Sequence, residues 1–309
     1  MSRFYSNGKL LLTGEYLVLD GATALAVPTK FGQDLLVEKI KEPKLIWGSF
    51  TDTGDCWFEA VFDLPKLRLV SATFNSDTEE NAEFIAETLQ DILLEARKLN
   101  PGFLQADSGF VVKTSLTFPR DWGLGTSSTL VNNIAQWATV DAYKLLQNSF
   151  SGSGYDIANA QHNLPILYQL KNKKPCIQIV DFSPNFSDQL YFVYLNKKQN
   201  SREGIAKYKE NNDDFKNEIH RISMIPLEMC TAKSLLDFER LIEEHEQIIA
   251  SIIKLKPVKE LLFPDYLGAI KSLGAWGGDF VLVTGNKSTL HYFKEKGYET
   301  IISYSDMIL

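Results

Sequence analysis

The stretch Phe118–Ala138, FPRDWGLGTSSTLVNNIAQWA, carries the residue types of an anion site. Its first half is a turn-rich loop with Pro119, Gly123 and Gly125. Its second half places Leu130, Ile134, Trp137 and Ala138 at the spacing of one helical face. Thr126, Ser127 and Ser128 stand at the junction, where hydroxyls cap a helix N-terminus well. Glycines let backbone N–H groups approach phosphate oxygens, and the first N–H groups of a helix attract the same charge. The chemistry on offer is a phosphate cradle. The same residues also suit an ordinary helix start behind two turn glycines, and this stretch alone does not choose.

Other charged residues sit in informative places. Asp156 directly follows the glycine turn Ser151-Gly-Ser-Gly-Tyr155. It reads either as a helix cap or as a carboxylate held at a helix start, facing the first loop. Lys9 and Glu15 lie in GKLLLTGEYLVL. A lone Lys at a strand start is usually solvated, whereas an acid inside a strand pair calls for a partner or a role. Lys197, Lys198 and Arg202 make a basic patch, and Gly274-Ala-Trp-Gly-Gly-Asp279 opens into the apolar run FVLVT.

The elements that must position these residues follow from periodicity and turn chemistry. Residues 8–19 read as two strands split by Thr13-Gly14-Glu15, with a hairpin turn at Asp20-Gly21. Residues 24–38, 45–50, 57–62 and 110–117 read as strands. A capping box, Ser76-x-x-Glu79, starts a helix that runs to about Leu99, with Phe84, Ile85, Leu89, Ile92, Leu93 and Ala96 on one face. The loop helix is expected to reach about Gln147, and Asp156–Leu170 reads as a helix interrupted at Pro165. CIQIVDF (176–182) and QLYFVYL (189–195) read as a strand pair. A helical region spans Glu203 to Lys254, broken at Pro226, and its stripe of Leu235, Phe238, Leu241, Ile242, His245, Ile248, Ile249 and Ile252 reads as core packing. Strand 280–284, helix 288–296 and strand 299–304 close the chain. The least-structured crossing, Lys171–Pro175, divides it into domains 1–173 and 174–309.

Composition bounds the function. A chain of 309 residues with 44% apolar and 23% charged residues is an ordinary globular protein of one large or two smaller domains. A net charge of −7 argues against general nucleic-acid binding but leaves room for a local cationic site. Cys56, Cys176 and Cys230 are widely spaced, so a reducing compartment is expected and a disulfide framework is not. His162, His220, His245 and His291 show no zinc-site spacing. The N-terminal residues lack the pattern of a secretory signal, and no apolar run is long enough to span a membrane, so a cytoplasmic protein with no membrane partner is expected. Walker, dinucleotide, nucleophile-elbow and protein-kinase patterns are all absent.

Three glycine-bearing elements remain, in a fixed order, and together they resemble the GHMP kinase superfamily of galacto-, homoserine, mevalonate and phosphomevalonate kinases. The first, Lys9, Leu12, Gly14, Glu15, Tyr16, Val18, Leu19 and Gly21, is similar to K-x-x-L-x-G-E-Y-x-V-L-x-G. The second, Pro119, Gly123, Leu124, Gly125, Thr126 and Ser127, is similar to P-x-x-x-G-L-G-S-S-A. The third is Gly274–Asp279. The resemblance covers essentially the whole chain. It implies an α+β fold with an N-terminal domain like one half of ribosomal protein S5 and a C-terminal ferredoxin-like domain, with ATP and substrate between them. Tyr16 after Glu15, the run Gly152–Ala158 and the closing Asp279 all resemble phosphomevalonate kinases more than mevalonate kinases.

What the resemblance implies is a phosphoryl transfer, which needs charge neutralised on the phosphates and an oriented acceptor oxygen. Pro119, Gly123, Leu124, Gly125, Thr126, Ser127 and Ser128 would wrap the ATP phosphates, and the Ser127 hydroxyl would hold Mg2+. Asp156 would orient or deprotonate the acceptor, and Lys9 would sit beside it. Glu15, Tyr16, Gly154, Gly277 and Gly278 would face the substrate. Lys197, Lys198 and Arg202 are candidate clamps for an anionic acceptor, on clustering alone, and compete with a solvated turn.

The departures are Trp276 where the third motif has a glycine, Thr126 for the first Ser, Ser128 for Ala, and Leu145 where mevalonate kinases carry a magnesium-binding Glu. The expectation is an ATP-dependent small-molecule kinase acting on 5-phosphomevalonate, as monomer or homodimer. Mevalonate kinase and a non-catalytic nucleotide-binding relative are the alternatives. Diphosphomevalonate decarboxylase fits less well, because Lys9 with Asp156 reads as a kinase pair.

Overall fold

The computed structural model describes residues 1–75, 81–105, 108–150, 152–199, 201–210 and 213–309. Two units emerge, neither contiguous in sequence. The first comprises Met1–Gly8, Phe31–Arg120 and Gly125–Gln161; the second comprises Lys9–Lys30, Asp121–Leu124 and His162–Leu309. Strands β1 (Ser2–Leu11) and β2 (Ala24–Ile40) have residues in both.

The first unit also holds β3 (Lys44–Phe50), β4 (Cys56–Asp63), β5 (Arg68–Phe74), α1 (Ala82–Leu99), β6 (Gly109–Leu116), α2 (Thr126–Ala138), α3 (Ala142–Ser149) and α4 (Tyr155–Gln161). Its strands run in the order β5-β4-β3-β6-β2, antiparallel except for β3 beside β6. Alternation makes the sheet one-sided: Leu45 and Trp47 of β3, Phe58 and Phe62 of β4, and Leu35 and Val37 of β2 are buried. Helical residues Leu89, Leu93, Val131, Ile134 and Leu145 complete that core.

Helix α1 ends where expected, but its start is capped by Asn81, whose side chain accepts the Glu83 N–H at 2.8 Å. The expected capping box at Ser76 lies outside the described residues. Phe84 is 65% exposed and falls off the buried face set by Leu89, Ile92, Leu93 and Ala96. The loop helix does not reach Gln147. Thr139 takes φ 56°, and the Asp141 carboxylate accepts the N–H groups of Tyr143 and Lys144 to start α3. A side-chain cap inside a helical pattern splits it. Strand β5 was not expected; it pairs with β4.

The stretch of the second unit from His162 onward begins with β7 (Ile166–Lys171) and β8 (Lys174–Ile179), joined by a turn in which Asn172 and Lys173 both have positive φ. The expected helix through Leu170 therefore stops at Gln161. Ile166–Tyr168 instead pair with Ala24–Ala26 of β2. Residues 171–175, expected as an interdomain crossing, form this hairpin turn. Then come β9 (Leu190–Tyr194), α5 (Ser201–Lys209), α6 (Lys216–Thr231), α7 (Leu235–Ile253), α8 (Val258–Leu262), β10 (Ile270–Ser272), β11 (Phe280–Thr284), α9 (Lys287–Glu295), β12 (Ile301–Ser303) and α10 (Tyr304–Met307). A four-stranded antiparallel sheet has the order β10-β11-β9-β12.

Segments 176–182 and 189–195 are thus not a pair. Every residue of β9 and β11 is buried, as suits central strands covered on both faces, whereas β8 is an edge strand with exposed alternate residues. The helical run to Lys254 breaks before Lys216 and at Ala232–Ser234, not at Pro226, which lies inside α6. Residues 8–19 hold only one strand. After Leu11 the chain turns at Gly14 (φ 87°) and Tyr16 (φ 64°), and Leu17–Asp20 form a short 3-10 helix ended by Gly21 at φ 90°.

Candidate functional site

In the first unit, α2 starts behind Gly125, whose φ of 94° is left-handed and which offers no capping side chain. The hydroxyls expected to cap the helix do not. Ser128 turns back to the Gly125 carbonyl at 2.9 Å, and Thr129 donates to Gln33 Oε1 at 2.6 Å. The first backbone bond of the helix runs from Thr129 N–H to the Gly125 carbonyl. The N–H groups of Thr126, Ser127 and Ser128 precede it and have no acceptor within the helix. Thr126 is half-buried and Ser127 exposed at this end, and Pro119 is half-buried at the loop's start. Such a start is electrostatically suited to an anion.

Asp156 lies in the first turn of α4, half-buried, after Gly152 and Gly154 at φ 152° and 86°. Helix α4 is tied to α2 by buried amides. Gln161 donates to Asn132 Oδ1 at 2.9 Å, Asn132 donates to Ser6 Oγ at 2.9 Å, and Ser6 donates to Asn133 Oδ1 at 2.7 Å. Burial raises the Tyr143 phenol, and the carboxylates of Asp141 and Asp156 raise it further. The first unit therefore carries the glycine-capped helix start and Asp156 on two helices that pack together.

The second unit gathers the other two motifs around the remaining loop residues. Lys9 donates from Nζ to the Gly123 carbonyl at 3.2 Å and from its backbone to Leu124 at 3.0 Å. Gly123, at φ 69°, lies against Asp279: a Cβ there would stand 2.3 Å from Asp279 Cγ. Asp279 accepts the Gln199 N–H at 3.0 Å and donates its own N–H to the Lys197 carbonyl at 2.7 Å. Burial raises the Asp279 carboxyl, while the Gln199 N–H, Lys9 and Lys198 pull it down. Tyr194 donates to Asp121 Oδ2 at 3.0 Å, and Trp122 meets Phe280 edge-on at 5.4 Å. Sequence reasoning missed Asp279 as a partner of the loop; its place at the end of a glycine run was the available signal.

The remaining site residues divide. Gly278 allows close approach, since a Cβ there would lie 2.7 Å from the Lys197 carbonyl, and Gly277 is exposed with φ 85°. Gly154 is buried. Lys197 and Lys198 are exposed, whereas the Arg202 side chain lies outside the described residues. Glu15 and Tyr16, expected at the substrate, are both buried. Glu15 is 1% exposed and accepts from Lys271 Nζ at 2.6 Å; Tyr16 is buried and donates to the Ala275 carbonyl at 2.7 Å. Trp276 is buried at φ 58°, and its indole N–H has no acceptor among the described residues. Leu145 is fully buried in the first unit's core. Among the described residues no group of three His, Cys, Asp or Glu side chains is placed to hold a metal.

No protein-family model and no curated protein matches this chain. Solved structures do. The Methanococcus jannaschii mevalonate kinase is similar at 17% identity and TM-score 0.69, over 97% of this chain and 96% of that one. Streptococcus pneumoniae phosphomevalonate kinase, in complex with phosphomevalonate and AMPPNP, is similar at 16% identity and TM-score 0.66, over 96% of each. Lactococcus lactis galactokinase complexed with galactose is similar at 14% identity and TM-score 0.66, over 99% and 93%. These neighbours are GHMP kinases, and the chain, with its mixed sheet and small antiparallel sheet, has their α+β fold.

Proposed function

We propose that this chain is an ATP-dependent kinase of a small molecule, with 5-phosphomevalonate as the acceptor. The observation that carries the reading is the helix start behind Gly125, where three N–H groups precede the first intrahelical bond and no side chain caps them. The solved phosphomevalonate kinase with bound AMPPNP and phosphomevalonate supports it at the level of fold.

In this reading Pro119, Gly123, Leu124, Gly125, Thr126, Ser127 and Ser128 hold the nucleotide phosphates through backbone N–H groups. Ser127 offers its exposed hydroxyl to Mg2+, which neutralises phosphate charge when bound. Lys9, whose ammonium already touches the Gly123 carbonyl, adds positive charge where the transferred group develops negative charge. Asp156 orients the acceptor oxygen or takes its proton. Exposed Gly277 leaves room for the acceptor, Gly154 and Gly278 shape the backbone beside it, and Lys197, Lys198 and Arg202 clamp its anionic end. Glu15 and Tyr16 are assigned no substrate contact, because both are buried.

The test is coupled ADP release with Mg-ATP, offering 5-phosphomevalonate and mevalonate separately. Turnover on 5-phosphomevalonate alone supports the proposal. Turnover on mevalonate alone keeps the kinase and replaces the acceptor. Bound ATP with no turnover on either, nor on a sugar panel, overturns it.

A further inference from the structure

The second unit buries a cluster of four ionisable side chains beneath the first and third motifs. Glu15, His245, Glu246 and Lys271 are each at most 3% exposed. Lys271 Nζ lies 2.6 Å from Glu15 Oε1 and 3.1 Å from Glu246 Oε1. One cation thus faces two carboxyl groups in a dry interior, and two adjacent buried anions are not both sustained by one partner.

Hydrogen bonding places the proton. Glu246 Oε1 faces the ammonium, and Glu246 Oε2 accepts from Ser272 Oγ at 2.8 Å, so both oxygens look at donors. Glu15 Oε1 also faces the ammonium, but Glu15 Oε2 lies 3.2 Å from His245 Nε2. That nitrogen accepts the Gly14 backbone N–H at 2.9 Å. A peptide N–H cannot reverse its direction, so Nε2 must present a lone pair and the imidazole must be neutral, with its hydrogen on Nδ1. An ionised Glu15 would set a carboxylate oxygen against that lone pair.

We infer that Glu15 is held as the neutral acid, its Oε2 hydrogen directed at the His245 Nε2 lone pair that it shares with the Gly14 N–H, and that this cluster positions the Gly274–Asp279 loop. The cluster reaches the loop by two routes. Lys271 and Ser272 form the end of β10, which runs through Leu273 into Gly274, and Lys271 also donates to the Ser272 carbonyl. Tyr16, next to Glu15, holds the loop itself through the Ala275 carbonyl. Glu15, His245, Glu246 and Lys271 are therefore positioning residues.

The charges around the invoked groups agree. Burial raises the Glu15 carboxyl most, Lys271 and its own backbone N–H oppose, Glu246 adds to the rise, and the result stands at about 7. Burial and the nearby Lys271 hold His245 well below the usual imidazole range. Burial raises Glu246 as well, but Lys271 and Ser272 act against it. A pH rise through neutrality would ionise Glu15, put an anion against the Nε2 lone pair, and loosen the strap under Ala275.

Two variants and one spectrum test this. Glu15→Gln keeps an oxygen for Lys271 and an N–H for His245, so the urea midpoint of the full chain at pH 6 should stay near wild type. Glu246→Gln removes the counterion of Lys271 and should lower it by about 1–2 M. Loop positioning is read by 19F NMR of 5-fluorotryptophan protein, with Trp276 assigned through Trp276→Phe. Its resonance should shift between pH 6 and 8 in wild type and stay fixed in Glu15→Gln. If Glu15→Gln is destabilised as much as Glu246→Gln, or its Trp276 signal still titrates, the inference is overturned. Should neither variant fold, 15N spectra of wild-type histidines decide. A pyridine-type Nε2 at His245 whose shift moves between pH 6 and 8, as Glu15 ionises, supports the assignment, and a protonated Nε2 or one that does not move over that range refutes it.

Discussion

Replacing Gly123 by alanine tests how the loop is built. The substitution adds one methyl group, and its position is fixed by the backbone. It would lie 2.3 Å from Asp279 Cγ and 2.5 Å from both carboxylate oxygens, well inside van der Waals contact. The backbone adds a second penalty, because φ at 123 is 69° and an L-residue pays about 1–2 kcal/mol to hold it. Asp279 cannot swing aside freely, since Oδ1 accepts the Gln199 N–H and its own N–H is bound to Lys197. Together these effects amount to roughly 2–4 kcal/mol of local strain. The loop sheds most of it by moving, which pulls the Gly123 carbonyl off Lys9. The expected result is a non-hydrolysable ATP analogue bound about 10–100-fold more weakly by calorimetry, with the unfolding midpoint changed little. Asp279→Ala removes the atoms that the methyl strikes. The double variant should therefore bind better than the product of the single effects predicts, with a coupling of about 1 kcal/mol or more in a double-mutant cycle. Additive losses would refute the claim that Gly123 is a glycine because of Asp279.

Other outcomes follow from the same geometry. Asp156→Asn should lower turnover about 100–10,000-fold while leaving nucleotide affinity near wild type; turnover at the wild-type rate would remove Asp156 from the chemistry. Alanine at Lys197, Lys198 and Arg202 together should raise KM for 5-phosphomevalonate and leave ATP affinity unchanged, and an unmoved KM would show a solvated turn. Stability against pH should separate the buried pair. Glu15 is raised from 4.5 to about 7, so its contribution is present below pH 4.5 and lost as pH rises to 7. His245 is lowered from 6.5, so its contribution is present above that pH and lost as pH falls below it. Between pH 4.5 and 6.5 folding moves a proton from His245 to Glu15 with no net uptake, and the pair adds no slope. In His245→Gln the Glu15 part stands alone, and denaturant titrations should show stability falling by about 1.4 kcal/mol per pH unit over that range relative to wild type. A parallel pair of curves would contradict the sign and the assignment.

Much of this was legible in the amino-acid order because it is local. Gly125 followed by Thr-Ser-Ser and an apolar stripe specifies a helix start within a few residues, and α2 does begin at Thr126. FVLVT after a glycine run reads as a buried strand, and β11 is buried at every position. The same local chemistry misled where two patterns overlap. Leu17–Asp20 has a strand composition, yet left-handed residues at Tyr16 and Gly21 turn it into a 3-10 helix. Leu130 and Leu145 share a helical rhythm, but Thr139 and the Asp141 cap lie between them.

What the sequence by itself determined is the inventory: a glycine-bearing loop before a helix, Lys9, Asp156, the Gly274–Asp279 turn, and the alternation that makes each element one-sided or buried. These depend on interactions between near neighbours. What only the tertiary structure decided is who partners whom. Glu15 finds Lys271, 256 residues away, and Gly14 finds His245, 231 away. Strands β8 and β9 read alike and belong to different sheets. Partner choice rests on which surfaces the packed chain leaves dry, and a buried charge takes whatever complementary group the fold brings within about 3 Å. No spacing along the chain encodes that encounter, so the order of residues leaves the partner of Glu15 open and the fold supplies Lys271.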